Sequence, residues 1–423
     1  MLQRKKIIII GGGFAGIQLA RHLDKKLFDI LLIDKINHHQ FQPLFYQVAT
    51  SQIEPSSISF PFRYIFKNNP NVQIRMAEVL NVERELNKIS TTIGEFNYDY
   101  LVIAIGCETN FYNNAEIAKH SFTLKSTYDA ITIRNHILET FEKIISANDT
   151  EKEGLLNLVI VGAGPTGVEL SGAFAEIKNH VLPKDYQGID FSKFRIILIE
   201  GSKHTLSNMS KMAQEASKKY LEQMGVTIYC ETFVKDYNGK ILTLNTGELI
   251  NTRTVIWSAG VIGNKIGGFP PEIITVGNRI KVSRMNKVFE TENIFAVGDI
   301  AYMETPEYPK GHPQVANVAI NQARLLAKNL KSIINNKPQI EFEYKDKGSM
   351  ATIGTNKAVV DLPFIHFKGY FAWIVWMFLH LMLILSVKNK LIIFINWAWT
   401  YITKNSSLRL ILSSHKNFTN KNT

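Results

Sequence analysis

Cysteine is scarce in this 423-residue chain, which contains only Cys107 and Cys230. The two residues lie far apart in sequence and form no CxxC motif. A disulfide framework is therefore not expected, and a reducing compartment is indicated. The vicinal cysteine pair of disulfide reductases is also missing. No histidine and cysteine cluster has metal-ligand spacing, so no metal is expected.

Acidic residues are absent after Asp361, whereas seven lysines and arginines follow it and supply seven of the formal net charge of +11. Apolar and aromatic runs separate these basic residues, which favours an anionic membrane surface as partner and argues against nucleic acid. An ordinary basic surface would explain the charge but not the apolar runs.

Long hydrophobic runs are also few. Residues 370–387 form an uncharged stretch of 18 residues, which is at the lower limit for a transmembrane helix. If residues 364–387 form one helix, a single stripe along it contains five ring-bearing side chains: His366, Tyr370, Trp373, Trp376 and His380. The next apolar run, 391–403, is too short to span. This pattern favours helices lying in the membrane plane, with an oligomer interface as the alternative.

Glycine is concentrated after apolar strands. A predicted strand ending at Val161 is followed by Gly162, Gly164 and Gly167 in GxGxxG spacing. The first glycine permits a tight turn, the second lets a pyrophosphate approach, and the third lets the following helix pack on the strand. The next strand ends in Glu200. An acid there accepts ribose hydroxyls and repels a 2′-phosphate, which favours NAD over NADP.

The same arrangement occurs at the start of the chain, where a strand predicted at residues 5–10 precedes Gly11, Gly13 and Gly16, and the next strand ends in Asp34. One GxGxxG motif is weak evidence, but two complete units imply two dinucleotides. The sequence therefore predicts an α/β fold with two Rossmann-like dinucleotide-binding domains, for FAD and NADH, and a C-terminal α-helical membrane-associating segment.

Further glycine turns follow predicted strands. Gly106 and Gly260 close two similar turns, which indicates internal duplication. Asp299 after Gly298 can hold the ribityl chain of FAD, with an ordinary type I turn as the alternative. A helix is predicted from residues 311–314 through Leu330, and its N-terminus would stabilise negative charge on a reduced flavin.

The chain resembles type II NADH dehydrogenases over nearly its whole length. The resemblance rests on both glycine fingerprints, Gly298-Asp299 and three further motifs: Phe-Gln-Pro-Leu-Phe-Tyr at 41–46, Trp-Ser-Ala-Gly at 257–260 and Phe-Lys-Gly-Tyr-Phe-Ala-Trp at 367–373. It implies a single-subunit, non-proton-pumping NADH:quinone oxidoreductase with non-covalent FAD. The expected partners are NADH, a membrane quinone (menaquinone or ubiquinone), membrane lipid and a second copy in a homodimer, but no nucleic acid.

The resemblance also implies site residues. FAD is expected to contact Gly11, Gly13, Phe14, Ala15, Gly16, Asp34, Lys35, Ala104, Ile105, Gly106, Gly298, Asp299, Gln314, Val315 and Ala316. NADH is expected to contact Gly162, Gly164, Thr166, Gly167, Glu200 and Gly260. Glu169 is expected to assist quinone protonation as the catalytic residue. An acid that merely stabilises the first turn of a helix is the alternative.

The family's quinone motif, Ala-Gln-x-Ala-x-Gln, aligns with residues 316–321. Asn317 and Asn321 replace its two glutamines, and asparagine is one methylene shorter. Quinone contact is expected from these asparagines and from the neighbouring Gln322. Ordinary polar residues on a helix are the alternative.

Four segments are predicted: 1–112 and 266–361 as the two halves of the FAD-binding domain, 113–265 as the NADH-binding domain, and 362–423 as amphipathic membrane-anchoring helices. The N-terminus leads directly into the first strand. We therefore expect no signal or transit peptide, and a catalytic body on the cytoplasmic face of the cell membrane.

Two other functions stay open. A sulfide:quinone oxidoreductase also combines FAD with a membrane tail, but it carries sulfur on cysteines, and two isolated cysteines suit that chemistry poorly. The complete second fingerprint ending in Glu200 also argues for nicotinamide. The other possibility is a slow NADH-reducible flavoprotein that acts as a membrane sensor or scaffold.

Overall fold

The computed structural model describes residues 3–404 and 409–412. Its strands are β1 (Lys5–Ile10), β2 (Phe28–Asp34), β3 (His38–Gln40), β4 (Ser59–Pro61), β5 (Val72–Met76), β6 (Val79–Glu83), β7 (Lys88–Thr91), β8 (Gly94–Asn97), β9 (Tyr100–Ile103), β10 (Cys107–Thr109), β11 (Asn157–Val161), β12 (Arg195–Ile199), β13 (Val226–Tyr229), β14 (Val234–Tyr237), β15 (Ile241–Leu244), β16 (Leu249–Asn251), β17 (Thr254–Trp257), β18 (Val261–Gly263), β19 (Ile280–Lys281), β20 (Ile294–Ala296), β21 (Ala301–Tyr302), β22 (Ser349–Gly354), β23 (Lys357–Leu362) and β24 (Ile365–Lys368). Its α-helices are α1 (Phe14–His22), α2 (Phe45–Ala49), α3 (Phe62–Ile65), α4 (Ala115–His120), α5 (Thr127–Ser146), α6 (Asp149–Leu155), α7 (Pro165–His180), α8 (Leu182–Asp185), α9 (Lys211–Gln223), α10 (Ala316–Ile334), α11 (Tyr370–Leu383) and α12 (Val387–Thr403).

The described residues divide into two units. Unit 1 contains the residues up to 40, 60–108 and 261–346, and unit 2 contains 41–59, 109–260 and those from 347 onward. The unit boundaries near 108 and 260 lie close to the predicted domain boundaries at 112 and 265. Residues 41–59 and 347–361 were predicted within the FAD-binding halves, but they pack with unit 2.

Unit 1 is built on a parallel five-stranded sheet in the order β20-β9-β1-β2-β5. Strand β1 shows why this sheet has two covered faces. Ile7 and Ile9 pack into one hydrophobic cluster with residues of α1 and α10, whereas Ile8 and Ile10 pack into a second cluster that includes residues of β6 and β7. A continuous run of isoleucines is what a parallel strand buried on both faces requires.

Unit 2 contains a parallel four-stranded sheet in the order β13-β12-β11-β17. Two antiparallel sheets, β14-β15-β16 and β22-β23-β24, belong to the same unit. Strand β22 packs on α7 at Gly172, where any side chain would collide with the backbone of Ile353. This close approach sets α7 and β22 side by side.

The two parallel sheets with flanking helices confirm the predicted fold class, and the C-terminal segment is helical as predicted. The single helix predicted over 364–387 is wrong. Residues 365–368 instead form β24, which pairs with β23, and α11 starts after Gly369, whose φ is +87°. The chain is extended again at Ile384 before α12 starts.

One other local prediction also needs correction. The helix predicted to begin at residues 311–314 begins instead at Ala316. The preceding residues stay outside it because the His312 ring and the Gln314 amide bond to the carbonyl groups of Met303 and Asp299. Residues 45–49 form the short helix α2. Among the helices of the described ranges 3–404 and 409–412, none combines the length and the apolar character needed to cross a lipid bilayer.

Candidate active site

The Gly11 turn of unit 1 has the backbone geometry of a phosphate cradle. Gly11 has φ of +100°, and a side chain there would collide with the carbonyl of Ala104, the residue that follows β9. Gly16 in α1 likewise packs against the Gly11 carbonyl. At Gly13, no atom of the described chain lies within 4 Å of the site a Cβ would take, so this backbone is open to a ligand.

Asp34 links the end of β2 to the same turn. One carboxylate oxygen accepts the Gly12 N–H at 2.6 Å and the other accepts the Ile36 N–H at 2.9 Å. Burial raises the Asp34 pKa, and these two hydrogen bonds oppose that rise. The neighbouring Lys35, also predicted at the FAD site, is largely exposed and pairs with Glu78 at 2.6 Å.

The Gly298-Asp299 turn lies beside these elements. A Cβ at Gly298 would lie 3.3 Å from the Ala319 Cβ of α10 and 3.4 Å from the Ala15 Cβ of α1, so the two helices approach this turn closely. The Asp299 carboxylate accepts a hydrogen bond from the Cys107 thiol at 3.1 Å. Nearby, Gly106 has φ of +70° and faces open space within the described residues.

One buried donor in unit 1 indicates that this cradle fits FAD. Gln322, for which quinone contact is predicted, is fully buried, and its Oε1 accepts the Gly298 N–H at 2.8 Å. Its Nε2 has no partner among the described residues. An unsatisfied buried amide is costly, and an oxygen acceptor of a bound cofactor at this turn would satisfy it.

The remaining predicted residues of this region lie at or near the starts of α1 and α10. Phe14 contacts the His39 ring edge to face, with the ring centroids 5.2 Å apart. Val315 caps α10 in extended conformation and precedes Ala316, the first helical residue. Asn317 and Asn321 are half-buried on the same side of α10, and neither side chain hydrogen-bonds within the described part of the chain. Both asparagines belong to unit 1.

Unit 2 repeats the cradle of unit 1. Gly162 has φ of +98°, and a Cβ there would lie 2.7 Å from the Ala259 nitrogen. Gly167 packs against the Gly162 carbonyl, as Gly16 does against Gly11. Gly164 faces open space among the described residues, and the adjacent Thr166 is exposed. Because α7 starts at Pro165, its free N–H groups lie at this opening, as dinucleotide binding requires.

Glu200 hydrogen-bonds to the glycine turn of unit 2, as Asp34 does to the glycine turn of unit 1. Its carboxylate accepts the Ala163 N–H at 2.6 Å and the Ser202 N–H at 2.8 Å. Gly260, with φ of +77°, faces the hydroxyl of Tyr112, which would collide with any side chain at that position. The duplication inferred from sequence therefore extends to hydrogen bonds that the motif alone does not reveal.

Glu169 lies in the first two turns of α7, in a cavity of unit 2. Its side chain is buried, with the residue 8% exposed, and Oε1 accepts the Thr352 N–H of β22 at 3.4 Å. Burial raises the Glu169 pKa to about 8. The hydrogen bond from the Thr352 N–H opposes this rise in pKa, and the nearby indole N–H of Trp376 opposes it to a smaller extent. The carboxyl group is therefore mostly protonated at neutral pH.

Aromatic and amide side chains form the cavity wall opposite β22. The Trp397 indole N–H of α12 donates to Gln47 Oε1 at 2.8 Å, and Gln47 Nε2 donates to the Tyr46 hydroxyl at 2.9 Å. Burial raises the Tyr46 pKa well above its usual value, and the negative charge of a deprotonated Glu169 would raise it further. The tyrosine therefore stays neutral and can donate a proton in a hydrogen bond.

Several members of this cavity were not found from sequence: Tyr46, Gln47, Gln52, Ala173, Glu176, Thr352, Gly354, Thr355, Met377, Trp397, Thr400 and Tyr401. The aromatic richness of residues 41–46 was the one available signal. The sequence of β22 gave no such signal, because the packing of this strand against α7 depends on contacts between segments far apart in the chain.

The sequence comparisons agree with this two-cradle architecture. Residues 5–323 match the family described as pyridine nucleotide-disulphide oxidoreductase, and residues 347–404 match the NDH2 C-terminal domain. A relative from Mycobacterium tuberculosis, the type II NADH:quinone oxidoreductase Ndh, is 33% identical over 418 residues, covering 95% of this chain and 89% of that protein.

Two solved structures have a similar fold. NDH2 from Plasmodium falciparum in complex with NADH has a TM-score of 0.88 at 23% identity, covering 97% of this chain and 100% of that one. A sulfide:quinone oxidoreductase from Aquifex aeolicus has a TM-score of 0.70 at 19% identity, covering 91% and 92%. The class is thus that of FAD- and NAD-binding oxidoreductases. Within it, the chain belongs to the type II NADH:quinone oxidoreductase family.

Proposed function

We propose that this chain is a non-proton-pumping respiratory NADH:quinone oxidoreductase that binds FAD non-covalently. Bound FAD would supply the redox chemistry, accepting hydride from NADH and passing two electrons to the quinone. NADH, quinone and one proton from solvent give NAD⁺ and quinol. Groups that hold and deliver protons are therefore a main contribution of the chain's own residues.

The observation that carries this proposal is the buried, mostly protonated Glu169 in an aromatic cavity. We assign Glu169 as the residue that gives a proton to a quinone oxygen. A carboxyl group with a pKa of about 8 both holds a proton at neutral pH and releases it to a more basic acceptor. An ordinary helix-capping acid would need to be charged to interact favourably with the helix N-terminus, and burial here disfavours charge.

The cavity wall suits a planar, mostly apolar head group. Trp376 and Trp397 have ring centroids 5.9 Å apart, and Trp373 stacks on Tyr401 at 5.5 Å. The neutral Tyr46 hydroxyl supplies a hydrogen-bond donor on this wall. Flat rings favour stacking on a quinone, and a few donors would fix its carbonyl oxygens.

The tail supports peripheral binding to a membrane. Helices α11 and α12 keep Trp376 and Ile393 buried, while they expose apolar side chains elsewhere: Phe371, Phe378, Met382, Leu383, Leu391, Phe394, Ile395, Trp399 and Ile402. Lys388 and Lys390 at the start of α12 complement anionic headgroups. We propose that this surface rests on the cytoplasmic face of the cell membrane, and that the enzyme is a homodimer. Quinone contact by Asn317 and Asn321 also stays a prediction.

Anaerobic titration of the purified yellow protein tests the function. NADH should bleach the flavin absorbance within the mixing time or shortly after, and a short-chain quinone should restore it. Sulfide in place of NADH should leave the flavin oxidised. A protein that NADH reduces but quinone does not reoxidise would support the sensor or scaffold alternative, and bleaching by sulfide would support the sulfide:quinone alternative.

A further inference from the structure

A second carboxylic acid lies on the face of α7 that carries Glu169. Glu176 follows Glu169 by seven positions in the helix. Seven positions make about two helical turns, so the two side chains share one face and their Cα atoms are about 10.5 Å apart. That face packs on β22: Glu169 accepts the Thr352 N–H of this strand, and Glu176 accepts the Thr355 N–H just after it. All of these residues belong to unit 2.

The two acids differ in their exposure to solvent. Glu169 is 8% exposed, whereas Glu176 is half-buried beside the turn between β22 and β23, where Thr355 and Asn356 are exposed. Gly354 in this turn has φ of +135°, and a Cβ there would lie 3.1 Å from the Glu176 Oε1, so glycine leaves the carboxylate its room. Glu176 is therefore the carboxyl group nearer to solvent, and Glu169 is the inner one.

One cavity joins the two acids. Both line it, and it has a volume of about 60 Å³ available to water, of which a single water molecule needs roughly 10–15 Å³. Among the described residues of its lining, none is a lysine, an arginine or a histidine, so its ionisable groups are the two carboxyl groups and the hydroxyls of Tyr46 and Tyr401. Burial, then the charge of Glu169 and more weakly that of Glu176, raise the pKa of Tyr46. The Tyr46 hydroxyl is therefore within electrostatic reach of both acids.

We propose that Glu176 returns a proton from solvent to Glu169, through water in this cavity, after Glu169 has protonated the quinone; this inference rests on the function proposed above. The O–H bond of Glu169 breaks as a quinone O–H bond forms. The proton of the Glu176 carboxyl group then moves along the bridging water to the Glu169 carboxylate, and solvent reprotonates Glu176. No electrons move in these steps, because NADH supplies both electrons. One proton passes per turnover, which is the one proton that the overall reaction takes from solvent.

The alternative is that Glu176 only fixes the turn after β22 through its hydrogen bond with the Thr355 N–H. Glu176→Gln distinguishes the two roles, because the amide oxygen still accepts this N–H but the amide has no proton to relay. Glu176→Asp keeps an ionisable carboxyl group on a shorter side chain, so it should keep part of the relay.

A pH jump on the flavin-loaded, full-length protein measures the relay without NADH or quinone. The jump runs from about pH 9.5 to about pH 6.5, across the Glu169 pKa of about 8. Time-resolved infrared spectroscopy follows the carbonyl stretch of protonated Glu169, which its absence in Glu169→Gln identifies. Glu176→Gln should slow the return of this band about tenfold, and Glu176→Asp should slow it less. The exposed Glu215→Gln is the control and should match the wild type. Equal rates in the wild type and Glu176→Gln would overturn the relay.

Turnover separates failure of the relay from failure of the proposed function. In a single turnover at neutral pH, Glu176→Gln should reduce quinone at the wild-type rate, because Glu169 starts protonated. Its steady-state kcat should fall about fivefold to tenfold at neutral pH and less at about pH 6, where hydronium protonates Glu169 more often without the relay. A kcat loss that is independent of pH, or that is equally large in a single turnover, would show a structural role only and overturn the relay. A wild type that does not reduce quinone would refute the proposed function, and the infrared rates would still decide the proton transfer.

Discussion

The carboxylate of Glu200 accepts a hydrogen bond from the backbone N–H of Ala163 at 2.6 Å and thereby joins the end of β12 to the glycine turn after β11. Asp34 and Gly12 repeat this contact in unit 1 at the same distance. Each acid therefore supports the glycine turn beside it, in addition to the ribose contact that we predict for it. Substitution of either acid would affect both the support of the turn and the predicted ribose contact, and tests must separate these two effects.

Glu200→Gln favours this separation because the amide oxygen still accepts the Ala163 N–H while the negative charge is removed, and only the acceptor of the Ser202 N–H is lost. We expect kcat/KM for NADPH relative to NADH to rise about tenfold, which corresponds to about 1.4 kcal/mol of relieved repulsion. Steady-state assays with both nucleotides measure the ratio. Glu231→Gln, at an exposed glutamate of unit 2, should leave it unchanged. A variant with unaltered discrimination would exclude the ribose role of Glu200.

Glu169→Gln should slow quinone reduction by roughly tenfold to a hundredfold, because a glutamine cannot release a proton at physiological pH. Flavin reduction by NADH should keep its rate. Anaerobic stopped-flow measures the two half-reactions separately. In the wild type, the quinone half-reaction should fall as pH rises through about 8, since the carboxyl loses its proton there. The exposed Glu215→Gln is the control, and a variant with the wild-type pH profile would refute this role for Glu169.

Glu169 also makes folding stability depend on pH. Its pKa is raised from 4.5 to about 8 in the folded protein, so between these values the folded state binds more protons than the unfolded state. Stability should therefore fall as pH rises from about 4.5 to 8. Glu169→Gln removes this loss and should exceed the wild type at pH 8 by on the order of a few kcal/mol, but not at pH 4. Chemical unfolding at both pH values gives the difference, and a difference independent of pH would contradict the buried neutral carboxyl.

The glycine fingerprints predicted the strand, turn and helix geometry at both positions because the requirement is local. The residues Gly11 and Gly162 need positive φ, and a strand before them and a helix after them are encoded in the adjacent sequence. The acids Asp34 and Glu200 lie beside these turns for the same reason, and their contact with a ribose stays a prediction. Their hydrogen bonds to Gly12 and Ala163 are short-range in space and follow from the strand order.

The cavity around Glu169 could not be assembled from sequence, since its walls come from segments that lie far apart along the chain. Thr352 reaches Glu169 because α7 packs on β22, and Trp397 reaches Gln47 across 350 positions of sequence. Gln322 was predicted to contact quinone from its place beside a family motif. Its full burial against Gly298 depends on how α10 meets that turn, which periodicity alone does not specify.

Trp397→Phe tests the hydrogen-bonded wall of the cavity. The substitution keeps an aromatic ring but removes the N–H that holds Gln47, so the Gln47 and Tyr46 side chains lose their fixed orientation. We expect KM for quinone to rise about threefold to tenfold, while flavin reduction by NADH is unchanged. Trp399→Phe is the control, because Trp399 lies on the same helix and is 61% exposed. Equal KM values for both variants would show that the indole N–H is dispensable.

The outward face of α11 offers the sharpest test of membrane binding. Deletion of the tail would also remove Trp376 from the cavity, so point substitutions are preferable. Phe371 and Phe378 are 66% and 59% exposed, and the double variant Phe371→Asp/Phe378→Asp adds two negative charges where apolar contact with lipid is proposed. Each phenylalanine buried in a bilayer interface contributes on the order of 1–2 kcal/mol, so vesicle binding should fall at least about tenfold in co-sedimentation assays. Leu86→Asp, at an exposed leucine of unit 1, should bind vesicles as the wild type does.

Neither Phe371 nor Phe378 lines the cavity around Glu169, so turnover of the double variant with a water-soluble quinone should persist. Full retention of vesicle binding by the double variant would exclude α11 from the membrane contact.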